Sequence, residues 1–97
     1  MRVRKSRRFE AELKEIVAFI SRDSVFYAKK FRRELLAETD TLAFMPRRCR
    51  KSIHADNPNI RDFIFKGYTI PYLIDEERDQ VVLLGICKQN LWYYEEE

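Results

Sequence analysis

Hydrophobic and polar positions along the chain follow two periods in turn. From Arg8 to Ile20, Phe9, Leu13, Ile16, Val17 and Ile20 recur at helical spacing, with Glu10, Glu12, Lys14 and Glu15 off that stripe. Ser6 stands just before the stripe as an N-cap, and the helix is expected to stop near Ser21–Asp23. Asp23 or Ser24 can cap a second helix, whose stripe runs through Tyr27 or Ala28, Phe31, Leu35, Leu42 and Met45. Pro46 cannot continue it and disfavours helical geometry at Met45.

From Ile60 the period changes to two. Ile60–Lys66 is apolar-rich and Lys66-Gly67 can turn the chain. Tyr68–Ile74 alternates, with Tyr68, Ile70, Tyr72 and Ile74 on one face. The charged segment Asp75–Asp79 makes the next turn, and Val81–Cys87 carries apolar side chains on both faces, which suits a strand covered on both sides. Breaks this short imply an antiparallel meander. Pro71 removes a ladder donor, so it implies an edge position, a bulge or a locally open pair. Residues 2–6 predict a short first strand anchored by Val3. Residues 46–59 hold two prolines and no periodicity, and read as a long functional or mobile loop. The expected architecture is α+β in the order (β)ααβββ. A helical hairpin buries its apolar face on an antiparallel sheet of three to four strands, in one domain over residues 1–97.

Composition narrows the class. A chain of 97 residues buries about 60–68 % of its unfolded surface, enough for one modest core. No apolar run approaches the roughly 18 residues that span a bilayer, so no membrane role is expected. The N-terminal stretch MRVRKSRRFEAEL is basic but lacks the apolar segment of a secretory signal, and the cytoplasm is the default compartment. Cys49 and Cys87 make no disulfide framework there, and with the single His54 their spacing does not form a zinc site. No cofactor motif is present.

The net charge of +3 is unevenly spread. Basic residues crowd the start, the middle and Arg47, Arg48, Arg50 and Lys51, whereas acid collects at Asp75–Asp79 and Glu95–Glu97. Four close cations can grip a phosphate backbone, or equally an acidic protein segment. His54 in the same loop has the ring chemistry for proton transfer, or is simply exposed. Arg61 opens the first meander strand, as an anion contact or as a structural arginine paired within the fold. Lys66 and Lys88 flank the sheet, as phosphate ligands or as solvated turn residues. Trp92 and Tyr93 can stack on bases or meet a protein partner. Tyr68 and Tyr72 read as core.

In this order the pieces resemble the RelE/ParE superfamily of type II toxins. Leu42–Pro46 (LAFMP) resembles the family's end of helix two. Ile60-Arg61 followed by Tyr68-Thr69-Ile70-Pro71-Tyr72-Leu73-Ile74-Asp75 resembles its central hairpin, and Val81–Ile86 its closing strand. The resemblance implies a growth-inhibiting toxin, a cognate antitoxin that neutralises it in a hetero-oligomer, and one of two targets. ParE-like members act on DNA gyrase; RelE-like members are endoribonucleases that cut mRNA on the ribosome. If the chain cuts RNA, Arg61, Lys66 and Lys88 are the candidate catalytic residues. In RelE the position after the hairpin's Gly-Tyr is arginine, and here it is Thr69. RelE's closing strand is followed by arginines and a tyrosine, and here Cys87–Tyr93 supplies one lysine and no arginine. The chain is therefore expected to stand nearer ParE, with RelE-like mRNA cleavage as the alternative.

Overall fold

The computed structural model describes residues 1–53 and 55–88. The chain runs β1 (Arg2–Lys5), α1 (Arg7–Ser21), α2 (Val25–Asp40), a 3-10 turn (Thr41–Ala43), β2 (Ile60–Phe65), β3 (Tyr68–Asp75), β4 (Gln80–Leu83) and β5 (Cys87–Lys88). Both helices start where their caps predict. The Ser6 hydroxyl accepts the Phe9 N–H at 3.0 Å, and the Ser24 hydroxyl accepts the Tyr27 N–H at 3.1 Å. Each helix places one stripe on the sheet. Phe9 and Leu13 of α1 meet Phe31 and Leu35 of α2 above Phe63, Ile70, Tyr72, Ile74, Val81 and Leu83.

The second stripe ends sooner than its spacing predicts. At Thr41 the helix tightens to 3-10, which keeps Leu42 inside but turns Phe44 and Met45 outward, Met45 being 61 % exposed. Tyr27 is exposed too, and Ala28 takes the inward position.

The sheet order is β1-β4-β3-β2, with β5 extending β3's partner edge. β2, β3 and β4 form the expected antiparallel meander. Lys66 and Gly67 turn the first hairpin with φ of 47° and 84°, the left-handed pair that matches strand twist. β1 adds a parallel pair with β4, Val3 beside Val81, so the sheet is mixed rather than wholly antiparallel. A strand that precedes the helical hairpin returns on the far side of β4, and no tight turn constrains its direction.

Pro71 lies inside the sheet, since β3 has neighbours on both sides. The partner strand makes room for it. Tyr72–Asp75 pair with β4 and Tyr68–Thr69 with β5, while Leu84–Ile86 leaves the ladder opposite Ile70 and Pro71. This is the locally open pair. The run read as one strand over Val81–Cys87 is therefore two short strands with a break. The Leu84 N–H donates to the Pro71 carbonyl at 2.8 Å, and the Ile86 N–H donates to Glu12 Oε1 of α1 at 3.0 Å. A Cβ at Gly85 would stand 2.7 Å from Glu12 Oε1, so a side chain there would have to move the Glu12 carboxylate.

Candidate functional site

Residues 46–52 lie against the start of β2 and are held there by both backbone and side chains. The Ser52 N–H donates to the Ile60 carbonyl at 2.9 Å, the Asp62 N–H donates to the Arg50 carbonyl at 3.1 Å, and Lys51 bridges to Arg61. This part of the loop acts as an additional edge to β2. The Tyr72 hydroxyl reaches up from the core and donates to the Pro46 carbonyl at 2.6 Å. Burial, and after it the neighbouring Cys49 thiol, pushes that hydroxyl far above the usual phenol range.

Arg61 sits directly opposite Tyr72 in the β2–β3 register, so its side chain is on the helix-covered side of the sheet. One guanidinium nitrogen, Nη1, donates to the carbonyls of Arg47 at 3.2 Å and Cys49 at 2.6 Å. Its Nε is buried and meets no acceptor among the described residues. Through Nη1 the arginine thus ties two loop carbonyls, the geometry of a group that holds a loop in place.

The basic cluster divides. Arg47 forms an ion pair with Glu76 of the β3–β4 turn, and Arg48 lies over the Phe63 ring at 5.5 Å. Arg50 and Lys51 remain exposed. Lys66, at the other end of the hairpin, holds Glu34 of α2 at 2.8 Å, and this contact draws the Glu34 carboxyl below its ordinary value. Lys88 pairs with Tyr68 in the β3–β5 register, so it shares the Lys66 end of the sheet. Arg61 is five residues from Lys66 along β2, roughly 16 Å at strand rise. The three residues expected to form a catalytic set if the chain cuts RNA therefore occupy opposite ends of the sheet. His54, Trp92 and Tyr93 lie outside the described residues.

A groove of about 350 Å³ opens beside the β5 end, between α1 and the sheet. Ile16, Phe19, Tyr68 and Ile86 supply its apolar wall, and Glu12, Glu15 and Lys88 its polar rim. Phe19, with Val25, Phe26 and Tyr27 at the tip of the helical hairpin, leaves a run of large apolar side chains at 58–69 % exposure. Among the described residues no group of three or more His, Cys, Asp or Glu side chains is placed to hold a metal ion.

Sequence reasoning missed four residues. Glu12 reads as solvent-facing by helical period, and its partner Ile86 is 74 residues away. Glu34 carries no local mark of its tie to Lys66. Phe44, at the end of the 3-10 turn, and Ile53, in the loop, are large apolar side chains at 86 % and 70 % exposure. Their signal is visible in the sequence, as large apolar residues flanking a basic run outside any periodic stripe.

Comparison with known proteins places the fold. A solved structure described as the chromosomal ParDE TA system from P. aeruginosa superposes with a TM-score of 0.72 at 14 % identity, covering 91 % of this chain and 95 % of that one. At that identity the likeness speaks for the fold. No match was found among curated proteins. The sequence model of the family described as "ParE toxin of type II toxin-antitoxin system, parDE" matches residues 3–90. That span runs from the first strand past the last and includes the helical hairpin, the pinned loop and the sheet break at Gly85, and with it the chain belongs to the ParE family of type II toxin–antitoxin toxins.

Proposed function

We propose that this toxin inhibits growth by binding a protein target, DNA gyrase, and that a cognate antitoxin neutralises it in a cytoplasmic hetero-oligomer. One observation carries the choice of a protein target over RNA: the separation of Arg61 from Lys66 and Lys88. Cleavage at a 2′-hydroxyl needs a base, an acid and a charge-stabilising cation within hydrogen-bond reach of one phosphate. Arg61 is turned under the loop onto two carbonyls, and Lys66 is committed to Glu34 at the far end of the strand. The groove beside α1 and the apolar hairpin tip suit an antitoxin segment that lays its apolar side chains along them.

Inducible expression of the chain alone, with primer-extension mapping of a reporter mRNA, tests this reading. Growth arrest with an unchanged mRNA is the expected result. New cuts at fixed codon positions would replace it with the RelE-like alternative.

A further inference from the structure

We infer that the free edge of β1, with the cleft beside Lys5, takes an extended acidic segment of a partner protein as an added strand. The inference goes beyond the gyrase reading and does not depend on it.

The sheet has two edges, and the chain covers one of them. Along β2 the Ser52 N–H donates to the Ile60 carbonyl and the Arg50 carbonyl accepts the Asp62 N–H, so residues 50–52 occupy that edge. β1 forms the other edge, with β4 as its one neighbour among the described residues. The Arg2 and Ser6 N–H groups donate inward, to the carbonyls of Asp79 at 3.2 Å and Leu83 at 3.0 Å. Backbone groups alternate in direction along a strand, so the N–H and C=O of Val3 and Lys5 point outward. No described residue bonds to them.

A cleft of about 280 Å³ lies at the end of this edge, bounded by β1, α1 and α2. Val3 packs on the core, so Lys5, two residues on, projects to the same helix-covered side and lines the cleft. Leu13, Val17 and Leu36 are its apolar lining. Its charged lining sets Lys5, Lys14 and Arg32, one from each element, against the single acid Glu10. None of the three cations forms an ion pair with a described residue. Arg2 and Arg4 are exposed on the opposite side of the strand.

Chemistry selects the occupant. The edge offers N–H donors and C=O acceptors in alternation, which a peptide backbone matches and a phosphate chain, with acceptors only, does not. A second copy of this chain is a poor fit, because its own β1 would set Arg2, Arg4 and Lys5 against the same cations. Carboxylates on both faces of an incoming strand meet Arg2 and Arg4 on one side and Lys5, Lys14 and Arg32 on the other. An apolar side chain of that strand enters the cleft.

The test titrates the full, isotopically labelled chain with three probes while NMR records amide shifts and hydrogen exchange. The probes are a blocked peptide Glu-Leu-Glu-Glu-Leu-Glu, the same peptide with lysine for each glutamate, and inorganic triphosphate. The acidic peptide is expected to shift β1 and to slow exchange of the Val3 and Lys5 amides, and the lysine peptide to do neither. Lys14→Glu/Arg32→Glu, two exposed positions, is expected to melt like the wild type and to bind the acidic peptide at least about fivefold more weakly. If that variant melts early, the wild type in raised salt carries the charge test, with the same weakening expected.

An unchanged β1 at millimolar acidic peptide would overturn the inference. Equal binding of the lysine peptide, or undiminished binding by the double variant, would overturn it in favour of apolar contact alone. Triphosphate that binds at Lys5, Lys14 and Arg32 while the peptide leaves Val3 and Lys5 exchange unchanged would replace it with a simple anion site. Each result is read on the purified chain, so none of them bears on the gyrase reading.

Discussion

The hydroxyl of Tyr72 donates to the carbonyl of Pro46 at 2.6 Å, joining the middle of the central strand to the first residue of the basic loop. Tyr72 is fully buried, so its ring anchors in the core while its oxygen fixes the loop's departure from the helical hairpin. Tyr72→Phe keeps the ring and strands a partly buried carbonyl. Urea denaturation is expected to show a loss of about 1–2 kcal/mol. The alkaline limb supplies a second readout. Because the hydroxyl's pKa is raised in the fold, its contribution is complete below the unfolded phenol value of about 10 and is lost as pH rises above it. The wild type should therefore lose stability above that pH more steeply than Tyr72→Phe.

Gly85 and Glu12 form a second close pair. Gly85→Ala would place a methyl 2.7 Å from Glu12 Oε1 and displace it from the Ile86 N–H. The expected cost is about 1–3 kcal/mol, the range for a buried donor left unmade. In a Glu12→Ala background the same methyl meets no carboxylate, so the two effects should be clearly less than additive in a double-mutant cycle. Additive losses would mean that the methyl clashes with something other than Glu12.

Arg61 offers a prediction that needs no knowledge of the target. Its guanidinium holds the carbonyls of Arg47 and Cys49. Arg61→Ala is expected to release the segment, and limited trypsin digestion should then cut faster after Arg47, Arg48, Arg50 and Lys51. Arg61→Lys should restore part of the protection, because one nitrogen, Nη1, makes both carbonyl contacts and an ammonium also carries several donors on a single nitrogen. Peptide mapping of the first cuts checks both variants.

Glu34 and Lys66 tie α2 to the turn of the first hairpin at 2.8 Å. The Lys66 hydrogen bond draws the Glu34 carboxyl below its ordinary value near 4.5. The sign follows from linkage: a carboxyl with a lowered folded pKa stabilises the fold above its unfolded value, and that contribution is lost as pH falls through the folded one. The stability difference between wild type and Glu34→Gln is therefore expected to be present at neutral pH, to shrink below pH 4.5, and to weaken in high salt. Denaturant titrations at several pH values measure it.

Local rules made much of the fold legible. Ser6 and Ser24 cap their helices through their own backbone neighbourhoods, and Lys66-Gly67 turns the hairpin through its own φ angles. Pro71 announced an irregularity, but its form depended on Gly85 and on Glu12, far away in sequence. Met45 matched the helical stripe in spacing and left it because the chain tightened at Thr41, a change that one methionine does not signal. The candidate site was least legible at Arg61. Its partners are main-chain carbonyls, which any sequence supplies, so residue types alone could not separate an anion contact from a loop tie. Lys66 was hidden in the same way, its partner being a glutamate on another element.

Gyrase, a protein, is the proposed target of the toxin. The most direct measurement adds the purified chain to purified gyrase and relaxed plasmid, with a parallel reaction on ribosome-bound mRNA. Supercoiling is expected to fall in proportion to toxin while the mRNA stays whole. Full supercoiling at toxin concentrations that arrest cells, with the mRNA cut at fixed codon positions, would contradict the account.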